Sequence, residues 1–342
     1  MLDPAAKLAA NVFDGPAQAA TRDGFGSGSV EAGKADARVV VLTADLAEST
    51  RADKFQKAFP ERFIQVGVAE QNLATVAAGM ANYGKIPFFT SYAAFSPGRN
   101  WEQIRTTIAL NNVPAKICGM HAGVSVGPDG ATHQMLEDIA LMRALPNMIV
   151  LSPCDSEEGR KATLAAAQYA GPVYLRFARE KSPVMTTAET PFEIGKAIVF
   201  WRSEKESRVA IIATGPLTHN ALLAARDLEK EGIGATVINV HTIKPLDAQT
   251  ILQAAKDAGS VVTVEEHQTT GGLGGAVAEL LAQQFPIPME FVGVHDRYGQ
   301  SGEPKELIRH YGMDPSHIIE AVKRAVARKS VPAQPAAPAV AA

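Results

Sequence analysis

The chain has 342 residues, an apolar fraction of 46% and a formal charge of −3, which is length enough for two domains, each with its own core. That charge offers no broad positive field, so nucleic acid and anionic membrane are excluded as expected partners, leaving small molecules or protein. Cys118 and Cys154, the only cysteines, each fall inside an apolar strand pattern, which excludes a zinc site or a disulfide framework and reads as two buried thiols. The N-terminus lacks a basic stretch followed by an apolar one, and no run reaches the roughly 18 apolar residues of a membrane span, so the expected location is cytoplasmic.

In chain order, residues 1–14 read as an N-terminal extension, 14–22 as a helix, and the Gly-rich GFGSGSV that follows as a loop. RVVVLTADL (38–46) is a continuous apolar run, followed by a helical segment to Phe59. RFIQVGVAE (62–70) is a short apolar strand ending in a carboxylate, Glu70, at the mouth of a helix from Ala69 to Tyr83. KIPFFTSYAAF, PAKICGMHA, MIVLSPC and PVYLRFAR repeat the theme. Strands apolar on both faces, alternating with helices, predict an α/β fold with a doubly wound, mainly parallel sheet over 15–185. Prolines and threonines mark a linker at 186–196, and a second, smaller α/β domain is expected over 197–328, with strands RVAIIATG, ATVINVHTI, SVVTVEE and MEFVGV. GGLGG (271–275) lacks the GxGxxG spacing and a downstream ribose-binding acid, so it reads as a tight strand-to-helix turn. From 329 the chain is an Ala/Pro tail with nothing to bury, expected to be disordered.

Ligands of parallel sheets sit beyond the carboxyl ends of the strands. Those ends supply Asp45 with Glu48 and Ser49, then Glu70, then Ser91, Tyr92 and Phe95, then His121, and last Arg179. The loop GVSVGPDGATHQ (123–134) adds Asp129 and His133. Taken singly, each has an ordinary structural reading: Glu70 as a favourable charge on a helix dipole worth about 0.3–1 kcal/mol, Asp129 as a turn residue, the histidines as hydrogen-bonded core, the aromatics as packing. Their collection at one edge of the sheet is what independent structural roles do not predict.

GVAEQN, SYAAF with GRNWEQIR, and above all HAGVSVGPDGATHQMLEDIALMRALPNM resemble the pyrimidine-binding domain of transketolase. VEEHQTTGGLGG and DRYGQSG resemble that family's C-terminal domain, and the match runs from about residue 15 to 328. It covers only the second half of a full-length transketolase, and the GDG with a distal Asn that holds Mg²⁺ and the diphosphate is not found. The chain therefore resembles the C-terminal subunit of a split transketolase. This implies a separate N-terminal subunit holding the diphosphate and metal (Mg²⁺, or Ca²⁺ or Mn²⁺), and an α2β2 assembly.

The resemblance implies dependence on thiamine diphosphate and transfer of a two-carbon glycolaldehyde unit from a ketose phosphate to an aldose phosphate, as in the pentose phosphate pathway. Glu70 matches the glutamate that engages N1′ of the aminopyrimidine, where burial against an apolar ring would help it hold or share a proton. Tyr92 and Phe95 match aromatics that pack on the pyrimidine, and a third falls at Gly98, which implies a looser ring cage or one completed differently. Asp45 and Leu46 match a segment lining the cofactor. Asp129 is implied to bond the donor's hydroxyls and His133 to lie near the reacting oxygens, which with Glu70 makes the catalytic set. Arg22, Ser49, His121 and Arg179 match a sugar-phosphate clamp. The β subunit of a 2-oxo acid dehydrogenase and the second half of deoxyxylulose-phosphate synthase share the glutamate, and a non-catalytic binding subunit is a further alternative. The clamp with DGATHQ favours transketolase over the dehydrogenase and discriminates less against the synthase.

Overall fold

The computed structural model describes residues 1–329; but for Lys329, the tail expected to be disordered lies outside them. In the first half the strands are β1 (Gln18–Ala20), β2 (Val39–Thr43), β3 (Phe63–Gln65), β4 (Ile86–Tyr92), β5 (Lys116–Met120), β6 (Ile149–Leu151), β7 (Val173–Arg176) and β8 (Lys181–Pro183). In the second they are β9 (Ile198–Arg202), β10 (Ser207–Ala213), β11 (Gly234–Asn239), β12 (Thr242–Lys244), β13 (Val261–Gln268) and β14 (Met289–Val294). A seven-stranded sheet runs β12-β6-β7-β5-β4-β2-β3, parallel except at β12. A five-stranded sheet runs β14-β13-β10-β11-β9, parallel except at its edge strand β9.

β2 and β5 are buried at every position because helices cover both faces of their sheet. Side chains alternate between the faces. Val40, Leu42 and Phe89 pack with Leu73 and Ala77 of the helix Glu70–Asn82, while Val39, Val41 and Phe88 pack with Phe25 and Ala162 from the helices Thr21–Ala35 and Ser156–Gln168. The first of these clusters continues without a seam into Ile212, Ile238, Val261 and Leu273 of the second half. Residues 1–14 lie against the second sheet, where Leu2 bridges to Trp201 and the Phe13 ring meets the same indole edge-on at 5.9 Å.

The structure differs from the sequence reading at several points. GFGSGSV is no loop, since Thr21–Ala35 is one helix, and residues 18–20, expected to be helical, form β1 paired with β8. The glycines allow a close approach of helix to helix: a Cβ at Gly24 would stand 2.0 Å from the Ser156 carbonyl oxygen, and one at Gly28 would stand 2.9 Å from that of Arg160. Backbone contact replaces side-chain packing there and overrides glycine's poor helix propensity. ATVINVHTI is two strands rather than one, because the chain turns at Val240 and His241 and sends β12 across to pair antiparallel with β6. The edge strand β9 was not expected from its sequence. The stretch leading into the expected linker is also pinned: the Asp155 carboxylate accepts the N–H groups of Met185 and Thr186 at 2.7 and 2.6 Å.

These contacts set opposite expectations for two glycines. Gly24→Ala should overpack the helix pair and destabilise the chain by about 1–3 kcal/mol. Gly79→Ala, in the exposed middle of the helix Glu70–Asn82 with nothing within 4 Å of its Cβ, should stabilise it by about 0.5–1 kcal/mol. Thermal unfolding of both variants checks this, and equal shifts would contradict the close-approach account.

Candidate functional site

Glu70 opens the helix Glu70–Asn82 directly after β3 and is buried, 2% exposed. Its carboxylate is occupied: Arg99 Nη1 donates to Oε2 at 2.6 Å and Ser91 Oγ to Oε1 at 3.3 Å. Asn100 Nδ2 holds the Glu70 carbonyl at 2.9 Å. The Arg99 guanidinium also lies over the Phe95 ring, 4.8 Å from its centroid. Neither Arg99 nor Asn100 is picked out as a site residue by the sequence, because a GRN turn three residues past a phenylalanine carries no periodic signal. At Gly98, where the resemblance implied a third aromatic, a Cβ would stand 2.1 Å from the Ala94 carbonyl oxygen, so no side chain fits and the Arg99 fork covers Phe95 instead.

Tyr92 and Phe95 stack at 6.0 Å, and the imidazole of His133 meets the edge of Phe95 at 5.4 Å. On Tyr92 lies His121, ring centroids 3.9 Å apart. His121 follows β5 in the left-handed region at φ 57°, and its Nε2 is 3.1 Å from Arg22 Nη1 and 3.3 Å from Ser49 Oγ. A guanidinium only donates, so Nε2 accepts and the ring proton is assigned to Nδ1, which is buried without a partner. Burial, then the charges of Arg22, Arg179 and Arg51, push His121 down to about 2, so it is a neutral ring. Ser49 Oγ also meets the Tyr92 hydroxyl at 2.7 Å, and Arg22 Nη1 donates to the Ser49 carbonyl at 2.6 Å.

A cavity of about 430 Å³ opens here, lined by Arg22, Glu48, Ser49, Arg51, Tyr92, Asp129 and Arg179. Three guanidinium groups against two carboxylates suit an anionic ligand. Arg179 donates to the Val126 carbonyl at 2.6 Å and lies 3.8 Å from Asp129 Oδ1. Arg51 was not expected here from sequence. A larger groove of about 690 Å³ runs along residues 191–199 and the helix Ala248–Ala258 but contains none of the site residues, so chemistry, not size, identifies the candidate. Asp45 and Leu46 lie outside this cavity: Asp45 is exposed at φ 61° beside β3, its N–H donating to Gln65 Oε1 at 2.7 Å.

GGLGG opens the helix Leu273–Gln284, and the anion its N-terminus could attract is internal: the Glu265 carboxylate accepts the N–H groups of Leu273 and Gly274, each at 2.7 Å. Among the described residues, no helix is long and apolar enough to cross a membrane.

Residues 17–184 match the family model of the transketolase pyrimidine binding domain, and 200–318 that of the transketolase C-terminal domain. A protein of Methanocaldococcus jannaschii, described as a transketolase C-terminal section, is 43% identical over 304 residues, covering 88% of this chain and 94% of its own. The 6-deoxy-6-sulfo-D-fructose transketolase subunit of Clostridium sp. (strain MSTE9) is 38% identical, covering 90% and 95%. A solved structure titled as a split gene transketolase, an inactive β4 tetramer, superposes with a TM-score of 0.84 at 44% identity, covering 91% of this chain and 99% of its own.

The depressed value of His121 sets a sign. The unfolded ring takes its proton near pH 6.5 and the folded ring only near 2, so protonation favours the unfolded chain as pH falls below about 6.5. By NMR, the His121 ring should show no titration between pH 5 and 8; a midpoint near 6.5 would contradict the arginine-crowded geometry.

Proposed function

The chain belongs to the transketolase family, and on that footing we propose that it is the C-terminal, pyrimidine-binding half of a two-chain transketolase dependent on thiamine diphosphate. The observation that carries the reading is the meeting of two unlike sets of groups at one aromatic pair. Glu70 reaches Tyr92 and Phe95 through Ser91 and Arg99, while Arg22, Ser49 and His121 gather at Tyr92. A buried carboxylate beside two aromatic rings fits the aminopyrimidine end of the cofactor, and the three guanidinium groups around the adjoining cavity fit an anionic oxygen.

Thiamine diphosphate, when bound, supplies the nucleophilic carbon that breaks the bond beside a ketose carbonyl. In this reading Glu70 holds a proton at N1′, which requires Arg99 to release its carboxylate, and the Arg99 side chain, 50% exposed, has solvent to move into. Tyr92 and Phe95 stack on the pyrimidine, Asp45 and Leu46 border it, and Asp129 and His133 act on the sugar's hydroxyls and reacting oxygens. Arg22, Ser49, His121 and Arg179 hold the terminal phosphate of the ketose donor and the aldose acceptor. The diphosphate and its Mg²⁺ fall to an N-terminal partner chain in an α2β2 assembly. The β4 tetramer titled inactive supports that division of labour.

With thiamine diphosphate and Mg²⁺ but no partner, the chain should transfer no two-carbon unit, and transfer should appear on assembly. There Glu70→Ala should lose a factor of at least about 10² in turnover, the scale of a lost proton-transfer group. Near-normal turnover of that variant would remove Glu70 from the mechanism.

The clamp sets a second test. Arg179→Ala should raise KM for a phosphorylated ketose by at least about tenfold, the scale of a lost charge-assisted contact, and leave an unphosphorylated one little changed. The Clostridium relative is named for a sulfonated sugar, so a 6-sulfo donor belongs in the same assay. Equal losses on charged and uncharged donors would argue against a clamp.

A further inference from the structure

We propose that the second α/β unit takes part in the reaction by holding the loop 123–134, and that Glu266 of β13 is its positioning residue. The inference rests on the reading above, in which Asp129 and His133 act on the substrate. Those two side chains have few polar anchors of their own: Asp129 has one arginine at 3.8 Å, and His133, edge-on to Phe95, has one hydroxyl, Thr132 Oγ1, at 2.9 Å. Their placement is inherited from the backbone beneath them.

That backbone is gripped from the second unit at two points. At its start, Glu266 Oε1 accepts the Ser125 N–H at 2.6 Å. A Cβ at Gly123 would stand 2.3 Å from the same oxygen, and Gly123 sits at φ 93°, so glycine both makes the turn and leaves room for the carboxylate. The strand from which the Glu266 carboxylate reaches is itself tied down, because Arg176 Nη2 donates to the Glu266 backbone carbonyl at 2.8 Å. At its end, Gln134 Nε2 donates to the carbonyls of Val124 at 3.0 Å, Gly127 at 3.1 Å and Gln300 at 3.0 Å. The third of these belongs to the segment before the helix Pro304–His310, which packs on residues 124–129. A Cβ at Gly299 would stand 1.8 Å from Gln134 Oε1, so the contact tolerates no added atom. A catalytic loop displaced by about 1 Å loses on the order of 10² in rate, which is the scale on which such a grip matters.

Two variants test this from opposite ends. Glu266→Ala removes the acceptor, and Gly299→Ala presses Gln134 off its carbonyls from the surface without touching the buried ion pair, so the second remains informative if the first fails to fold. In hydrogen–deuterium exchange of the full chain, both should quicken exchange across 123–134 by roughly tenfold, with β2 unchanged. In the assembled enzyme both should lower kcat by about 10² with affinity for thiamine diphosphate unchanged, and Glu266→Gln, which keeps an acceptor oxygen, should restore most of the turnover. Unchanged loop exchange in both variants, or a Glu266→Gln as damaged as Glu266→Ala, overturns the proposal. Normal turnover of both variants while Glu70→Ala is dead overturns it alone, whereas normal turnover of Glu70→Ala as well overturns the transketolase reading beneath it.

Discussion

Arg176 donates from Nε to the Asp138 carboxylate at 2.8 Å and from Nη2 to the Glu266 carbonyl at 2.8 Å, tying the end of β7 at once to the helix Asp138–Arg143 and to β13 of the other sheet. Burial works against its charge, but Asp138 beside it more than compensates and the guanidinium is held above its ordinary value. Tyr174 donates to the same carboxylate at 2.7 Å. Removing one partner from a buried pair of this kind costs about 3–5 kcal/mol, chiefly because the other charge is left alone. The loop carrying Asp129 and His133 runs between the anchored points, and Arg179 lies three residues beyond Arg176. Behind the strand ends that form the site, this one cation ties two sheets and a helix to each other, beside the shared apolar core and the β12–β6 pairing.

The interior also holds buried acids other than Asp138. Burial raises Glu265 and Glu158 to about 7 each, although Glu265 accepts two N–H groups and Glu158 accepts the Cys154 N–H and the Asn239 side-chain amide. A carboxyl raised in this way keeps its proton in the folded chain after the unfolded chain has lost it, so its contribution falls as pH rises from about 4.5 to about 7. Buried His241 and His267, lowered to about 3 and about 4, act in the opposite sense below about 6.5. Between roughly pH 4.5 and 6.5 the two sets offset one another.

What could be read in advance is governed by range. The apolar runs that became β2, β4, β5 and β10 are local signals, and so is an acid at the mouth of a helix; Glu70, Tyr92, His121 and Arg179 followed once the parallel sheet placed their strand ends on one edge. What depended on distant partners was not legible. GFGSGSV is helical only because another helix presses its backbone against it, and ATVINVHTI divides only because β6 offers a free edge. Arg99 pairs with Glu70 across 29 residues, and Glu266 with Ser125 across 141, so neither pairing has a spacing that a sequence pattern could reveal.

β12 carries a consequence for how the polypeptide can be divided. Its three residues come from the second half yet complete the edge of the first sheet, and the first-half core runs on into Ile212 and Val261. A gene break near residue 196 would leave β6 with an unpaired, apolar edge, the kind of surface that recruits a stranger's strand. The two halves are thus welded into one inheritable piece, which a break between them would not leave intact.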